Sequence, residues 1–440
     1  MRRPHARDAL PAAALNLAPR QEAPPGLLQQ RNFSALWWGQ LISILGERFT
    51  YLALVGLLAE HTQHFKDSGS SWLLSVLANV MLAPVLLLAP FTGAWVDRWN
   101  LRRVLIVSDT LRAAVVLSIP WLYSMVHGVA PVFALVFVLF TCNVFFLPAK
   151  SAITPEIVAP DQLLAANALL SVAGIASTAV GALVGGWVID HWGWTRALEI
   201  NAGTYLVSVA ALAIIAYRPA AHALKARPEE RRGYLGEVAE GWRLLMSNSR
   251  VGLGLTALAA VWMGGGFLHV AGNQHIQRAA SVPGMERLGL LMCALGLGAG
   301  LSTWWVNSHG RGLPRPLLLG VGLLLAAGGL CAFAVSTRFA VFVAASFVVG
   351  VFVAPAFVLS ETLLQEGAEP RQRGRVFSAR DFLMRLLFLV TVTLAAWLTR
   401  GFGTRLALLV SAGIVAAAGL LSMAWGVIDP ALMRREKRSG

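Results

Sequence analysis

Apolar runs about as long as a bilayer is thick recur along this chain, and they leave it little choice of fold. A hydrocarbon core about 30 Å thick needs roughly 20 apolar residues per helix. Twelve runs of that kind lie at 33–59, 71–95, 104–126, 130–149, 163–189, 195–216, 252–274, 287–306, 316–335, 339–364, 379–399 and 402–427. Backbone N–H and C=O groups find no water to bond in lipid, so each run is predicted to be a helix. The expected fold is therefore all-α and integral to a membrane. With 57% of residues apolar and only 13% charged, a water-soluble domain of 440 residues would lack the polar surface it needs. Pro84, Pro120, Pro148 and Pro355 fall inside runs and are expected to kink their helices.

The basic residues set an orientation, because cytoplasmic loops retain positive charge. Most of the 36 lysines and arginines lie in the segment before the first run, in the connections after every second run, and behind the last run. The alternate connections hold only Lys66, Arg196, Arg278, Arg287, Arg338, Arg400 and Arg405. Both termini are thus expected on the cytoplasmic side. A net charge of +14 spread over short loops fits topology and anionic-lipid contact better than nucleic-acid binding.

The widest gap between runs divides them six and six. The expected organisation is a disordered cytoplasmic tail over 1–32, a six-helix half over 33–217 and a basic linker with an amphipathic helix over 218–250. A second six-helix half over 251–428 and a basic tail over 429–440 complete it. Residues 1–32 are proline- and arginine-rich and contain no apolar core of signal-peptide length. Cys142, Cys293 and Cys331 fall within runs at no metal-ligand or disulfide spacing and are expected to be packing residues.

The loop after the second run reads Gly93-Ala-Trp-Val-Asp97-Arg98-Trp-Asn-Leu-Arg102-Arg103. Asp97 lies where it can meet a helix N-terminus, whose dipole carries about half a positive charge. The arginines can bind acids on a neighbouring helix, and such contacts can latch the inner face shut. Two six-helix halves, a basic linker and this loop resemble the major facilitator superfamily over about 33–427. In the family the loop reads Gly-x-x-x-Asp-Arg/Lys-x-Gly-x-Arg/Lys-Arg/Lys. Here Gly93, Asp97, Arg98, Arg102 and Arg103 match it, and Asn100 replaces the second glycine.

Four further segments resemble the bacterial macrolide-efflux and enterobactin-exporter branch: Gly39-Gln40-Leu-Ile-Ser43-Ile-Leu-Gly46-Glu47, Ser108-Asp109-Thr-Leu-Arg112-Ala113, 145–156 and Arg373-Gly374-Arg375-Val376. Where that branch carries an aspartate after the first-helix glycine this chain has Glu47, and Arg48 follows it. The resemblance implies alternating access between two halves, with the first-half loop as an inner gate.

Ionisable residues at membrane depth are costly and are the candidates for function. Glu47 is the leading proton-coupling candidate, and His269, four residues before Asn273 on one helical face, is the second. A hydrogen-bonded interhelical histidine is the other reading of His269. Asp109 and Arg112 are three apart, so a local ion pair is expected, placed with the gating loop. Arg48, Asn273 and Glu361 are candidates for the substrate cavity, Glu361 alternatively pairing with an arginine near the inner end. Asp381 and Arg385, four apart, are expected to pair as inner-gate partners.

No Gly-x-x-x-x-Gly-Lys-Ser/Thr loop is present, so direct ATP coupling is not expected, nor is any enzymatic activity, cofactor or metal. The expectation is a monomeric exporter in the bacterial inner membrane. It would expel an amphipathic small molecule, drug-, macrolide- or siderophore-like, by proton antiport, with protons and membrane lipids as its other partners. A lysophospholipid-handling facilitator and a non-transporting scaffold or sensor are the alternatives.

Overall fold

The computed structural model describes residues 26–64, 70–96, 98–217, 249–279, 284–309, 313–367 and 373–428. Helices account for nearly all of them. They are α1 (Arg31–His64), α2 (Ser70–Val96), α3 (Leu101–Val126) and α4 (Val129–Ile157), followed by a run over Leu163–Ile214. That run breaks at Gly193, whose φ of 83° lies in the left-handed region that a side chain resists, so it is two helices, α5 before Gly193 and α6 after it. In the second half, α7 comprises Ser249–Phe267, a π-helical turn at Leu268–Gly272 and Asn273–Ala279. It is followed by α8 (Met285–His309), α9 (Arg315–Val335), α10 (Phe339–Gly367), α11 (Arg373–Phe402) and α12 (Thr404–Ile428).

Among the described residues eleven helices are long and apolar enough to cross a membrane, and the longest, at 50 residues, contains the break at Gly193. Counting its two arms separately yields the twelve spans read from hydropathy. Three details differ from that reading. Residues 26–32, assigned to a tail, are structured: a 3₁₀ turn covers Leu27–Gln29, and the Asn32 side chain both donates to the Ala216 carbonyl and accepts from its N–H. Helix α4 continues past Pro148 and Pro155 to Ile157, because a helix tolerates proline where neighbouring helices re-satisfy the freed carbonyls. Helix α11 starts at Arg373, earlier than its apolar run, since its first turns are polar and lie beyond the apolar stretch. The linker's amphipathic stretch and the C-terminal tail lie outside the described residues.

We call the end of the bundle where α1 begins and α12 ends basal, and the opposite end apical. Contacts between the halves gather in the apical part. Near the end of α5 lies Asp190, whose two carboxylate oxygens each accept one backbone N–H from the first turn of α8, Met285 and Glu286, at 2.7 Å. Those N–H groups have no partner within α8, so an acid of one half caps a helix of the other. Asn79 of α2 donates to Thr393 of α11 at 2.9 Å, again across the halves.

Along α8, three glycines on one face measure the gap to α5. A Cβ at Gly289 would run into the Ala182 carbonyl, one at Gly296 would reach Ala179 at 3.9 Å, and one at Gly300 would meet nothing within 4 Å. The helices touch backbone to backbone near the apex and part toward the base. Basal core clusters obey the same division, one around Leu36, Leu105 and Phe146, another around Val251, Leu255 and Met384, each drawn from a single half.

Candidate transport site between the halves

Arg112 is the hub of the first half. It is 1% exposed on α3, with Nη1 2.9 Å from Glu47 Oε1 of α1 and 3.3 Å from Asp109 Oδ1, one turn earlier on its own helix. Its Nη2 donates to Asn143 Oδ1 of α4 at 3.1 Å. The guanidinium also lies over the rings of Phe146 and, from α6, Tyr205, at 4.3 and 5.2 Å from their centroids. Four helices thus converge on one cation, an arrangement that lets a charge persist at a depth where it would be prohibitive alone.

Asp109 is fully buried, whereas Glu47 keeps 27% of its side chain accessible. That accessible part opens on a cavity of about 160 Å³ also lined by Arg48, Tyr51, Met81, Phe140 and Asn143. Of the triad's two acids, Glu47 is therefore the one positioned to exchange a proton or meet a ligand. Arg48 points into the same cavity without pairing with Glu47, in keeping with the roughly 100° between successive helical side chains.

In the second half a cavity of about 190 Å³ is lined by His269, Asn273, Leu268, Ile276 and Leu291, and by Tyr51 reaching over from the first half. Tyr51 Oη stands 3.3 Å from His269 Nδ1, and the two rings are 5.5 Å apart. The π-helical turn at Leu268–Gly272 holds His269 there; such turns insert an extra residue and recur at functional sites. His275, by contrast, is occupied on both nitrogens, Nδ1 with Thr404 Oγ1 at 2.9 Å and Nε2 with the Ser336 carbonyl at 3.2 Å. It is a structural histidine.

The loop residues divide differently from expectation. Asp97 lies outside the described residues, and Gly93 sits near the end of α2. Arg98 is exposed in the turn that follows. Among the described residues Arg102 pairs with main-chain carbonyls and no acid: Nε donates to the Leu212 carbonyl at 3.1 Å and Nη2 to that of Ala213. The last carbonyls of α6 have no intrahelical partner and carry the helix's negative end, so they hold the arginine inside its own half. Asn100, where the family pattern has glycine, is the N-cap of α3, its side chain accepting from Arg103 N at 3.1 Å. Asp109 and Arg112, grouped with this loop from their sequence position, lie instead beside Glu47 at the cavity.

In the second half, Glu361 follows the arginine-pairing reading and not the cavity one, and the Asp381 pairing needs correction. Glu361 lines neither of the two cavities; it pairs with Arg380, and so does Asp381, at 2.7 Å. The pair Asp381–Arg385 expected from i,i+4 spacing is replaced by Asp381–Arg380, because Arg380 reaches both acids at once from its place over the Phe377 ring. Arg380, Asp190, Tyr51 and Asn143 are the residues sequence reasoning passed over. For Tyr51 and Asn143 a signal existed, a polar group in the middle of an apolar run; for Asp190, an acid at a helix end.

Comparison with known proteins accords with this architecture. The family profile described as Major Facilitator Superfamily matches residues 36–311 and 279–440. The uncharacterized MFS-type transporter YfiS of Bacillus subtilis (strain 168) is 26% identical over 407 residues, 91% of this chain and 94% of that protein. The lysophospholipid transporter LplT of Yersinia pestis (strain Pestoides F) is 28% identical over 307 residues, 67% of this chain and 70% of that protein. A bacterial homolog of the human lysosomal transporter Spinster, solved inward-facing and occupied, superposes with a TM-score of 0.72 at 12% identity, covering 94% of this chain and 100% of that one. With twelve spans in two halves, contacts gathered at one end and a match along nearly the whole length, the chain belongs to the Major Facilitator Superfamily.

Proposed function

We propose that this chain exports an amphipathic small molecule from the bacterial cytoplasm by alternating access, exchanging it for protons at Glu47. The observation that carries the reading is the pair of cavities meeting at Tyr51, one walled by charged groups of the first half, the other mainly apolar and walled by the second. Together their volumes reach the lower end of the roughly 300–1,000 Å³ typical of ligand pockets. A molecule with a polar head and an apolar body suits both at once. With the basal end cytoplasmic, as the loop charges argue, the apical closure and basal parting describe a state open to the inside. Rocking the halves about the cavities would present the same site to the other face.

Glu47 supports coupling by its place: it is bonded to Arg112 yet reaches the cavity, so protonation would release the arginine and a ligand could trigger the exchange. The likeness to exporters in the segments around Glu47, Asp109 and 145–156 supports the direction. A second reading, movement of a lysophospholipid between leaflets without protons, is favoured by the relatives that carry that name.

Everted vesicles containing the full chain and a trapped pH-quenched dye test both. Addition of an antibiotic, a siderophore or a lysophospholipid is expected to alkalinise the lumen, and Glu47→Gln to abolish the response. Radiolabel transport that proceeds without any pH change would overturn antiport and leave the lipid facilitator.

A further inference from the structure

We infer that the charged cavity recognises an anionic headgroup through Arg48, so that the molecule carried is an amphiphile bearing a phosphate or carboxylate. This rests on the transport reading above and names its substrate class. Two arginines and Glu47 line this cavity, and Arg112 already has two acids beside it: Glu47 Oε1 at 2.9 Å and, buried behind the lining, Asp109 at 3.3 Å, whose oxygens accept no hydrogen bond among the described residues. Arg48 forms no ion pair among the described residues, and its Nε is buried without an acceptor.

Arg112, itself 1% exposed and also part of the lining, carries a second buried Nε without an acceptor. The unmet groups that line the cavity are therefore N–H donors of guanidinium type. A cation entering here would have to share Glu47 with Arg112, which already holds its Oε1. An anion meets demand that the protein leaves open, and the planar guanidinium fork matches phosphate and carboxylate oxygens.

Placement of the apolar surface completes the class. Met81, Leu139 and Phe140 line the cavity beside the arginines, and beyond Tyr51 the second cavity continues with Leu268, Ile276 and Leu288. A headgroup at Arg48 can send a hydrocarbon chain past Tyr51 between α7 and α8. An unpaired arginine at membrane depth is costly to keep, and a ligand that supplies its counter-charge accounts for it.

Binding of radiolabelled dodecyl phosphate to the full chain in nanodiscs of zwitterionic lipid, read by scintillation proximity, tests this without requiring transport. Dodecyl phosphate is expected to bind at least about ten-fold more tightly than dodecyltrimethylammonium, the size of one charge-assisted hydrogen-bond pair. Arg48→Gln is expected to erase that preference and Arg48→Lys to keep most of it, which separates loss of charge from loss of folding. Inorganic phosphate, the headgroup without the chain, is expected to bind far more weakly.

Equal affinity for the anionic and cationic amphiphiles, or a preference unchanged in Arg48→Gln, would overturn the anion assignment while leaving an amphiphile transporter standing. Inorganic phosphate binding as tightly as dodecyl phosphate would overturn the hydrocarbon requirement. Failure of every amphiphile to bind would overturn this inference and the transport reading together.

Discussion

The chain builds the same chemical triad twice, once in each half, and the two differ in almost everything but composition. In the first half Arg112 holds Glu47 and Asp109 with exposures of 1%, 27% and 0%; in the second Arg380 holds Glu361 and Asp381 with exposures of 14%, 48% and 44%. The first sits where four helices converge on a cavity, the second near the basal end of α10 and α11. Water screens the second and is absent around most of the first. Two acids and an arginine are thus a surface clasp in one place and a high-stakes buried network in the other, and only the latter can couple its protonation to the shape of a site.

Removing the arginine from each triad should break the symmetry most visibly. Arg112→Leu leaves Asp109 and much of Glu47 buried without a counter-charge and should cost about 3–5 kcal/mol. Loss of the monodisperse peak in fluorescence-detected size-exclusion chromatography, or a large fall in Tm, would register it. A stable Arg112→Leu protein would mean that the buried acids are held neutral.

Intermediate in size is the apical clasp joining the halves. Asp190→Ala removes a carboxylate from two N–H groups and should weaken apical closure by about 1 kcal/mol, roughly five-fold in the ratio of closed to open forms. In a variant lacking the native cysteines, a cysteine at Leu288 should then react faster with a membrane-impermeant maleimide. An unchanged rate would show that backbone packing at Gly289 carries the closure by itself. Smaller again, Tyr51→Phe should cost about 0.5–1 kcal/mol by deleting the contact with His269. It should weaken ligand binding by no more than a few-fold, measured in the same nanodisc format.

Arg380→Gln is the smallest of the series. Exposed ion pairs contribute about 0–1 kcal/mol, so its Tm should stay close to that of the unaltered protein. A drop comparable to that of Arg112→Leu would erase the distinction between the triads.

Much of the first triad could be read from the chain and little of the second. Glu47, Asp109 and Arg112 stand out as charges within apolar runs, and the i,i+3 spacing of the last two places them together on any helix. The link from Glu47 to Arg112 spans 65 positions and depends on how α1 crosses α3, which no local pattern encodes. Spacing misled at Asp381, where four residues to Arg385 looked decisive but the neighbouring Arg380 reaches further. Arg102 shows a similar limit, since its partners are carbonyls at the end of α6, and main-chain acceptors leave no mark in side-chain patterns. Asn100, read only as a mismatch to the family pattern, stands four residues before the apolar run at 104–126, and its capping role follows from α3 starting at Leu101.

By itself the sequence determined that this chain lives in a membrane, how many times it crosses, where the helices lie and which few residues carry charge into lipid. Each follows from transfer free energies that a residue brings with it wherever it sits. Tertiary structure alone decided which acid meets which arginine, which end of the bundle is closed, and that Tyr51 lines both cavities. Those outcomes depend on helix crossing and on backbone approach at Ala182 and Gly289, and buried electrostatics change steeply over a few ångströms, a distance that composition and spacing do not contain.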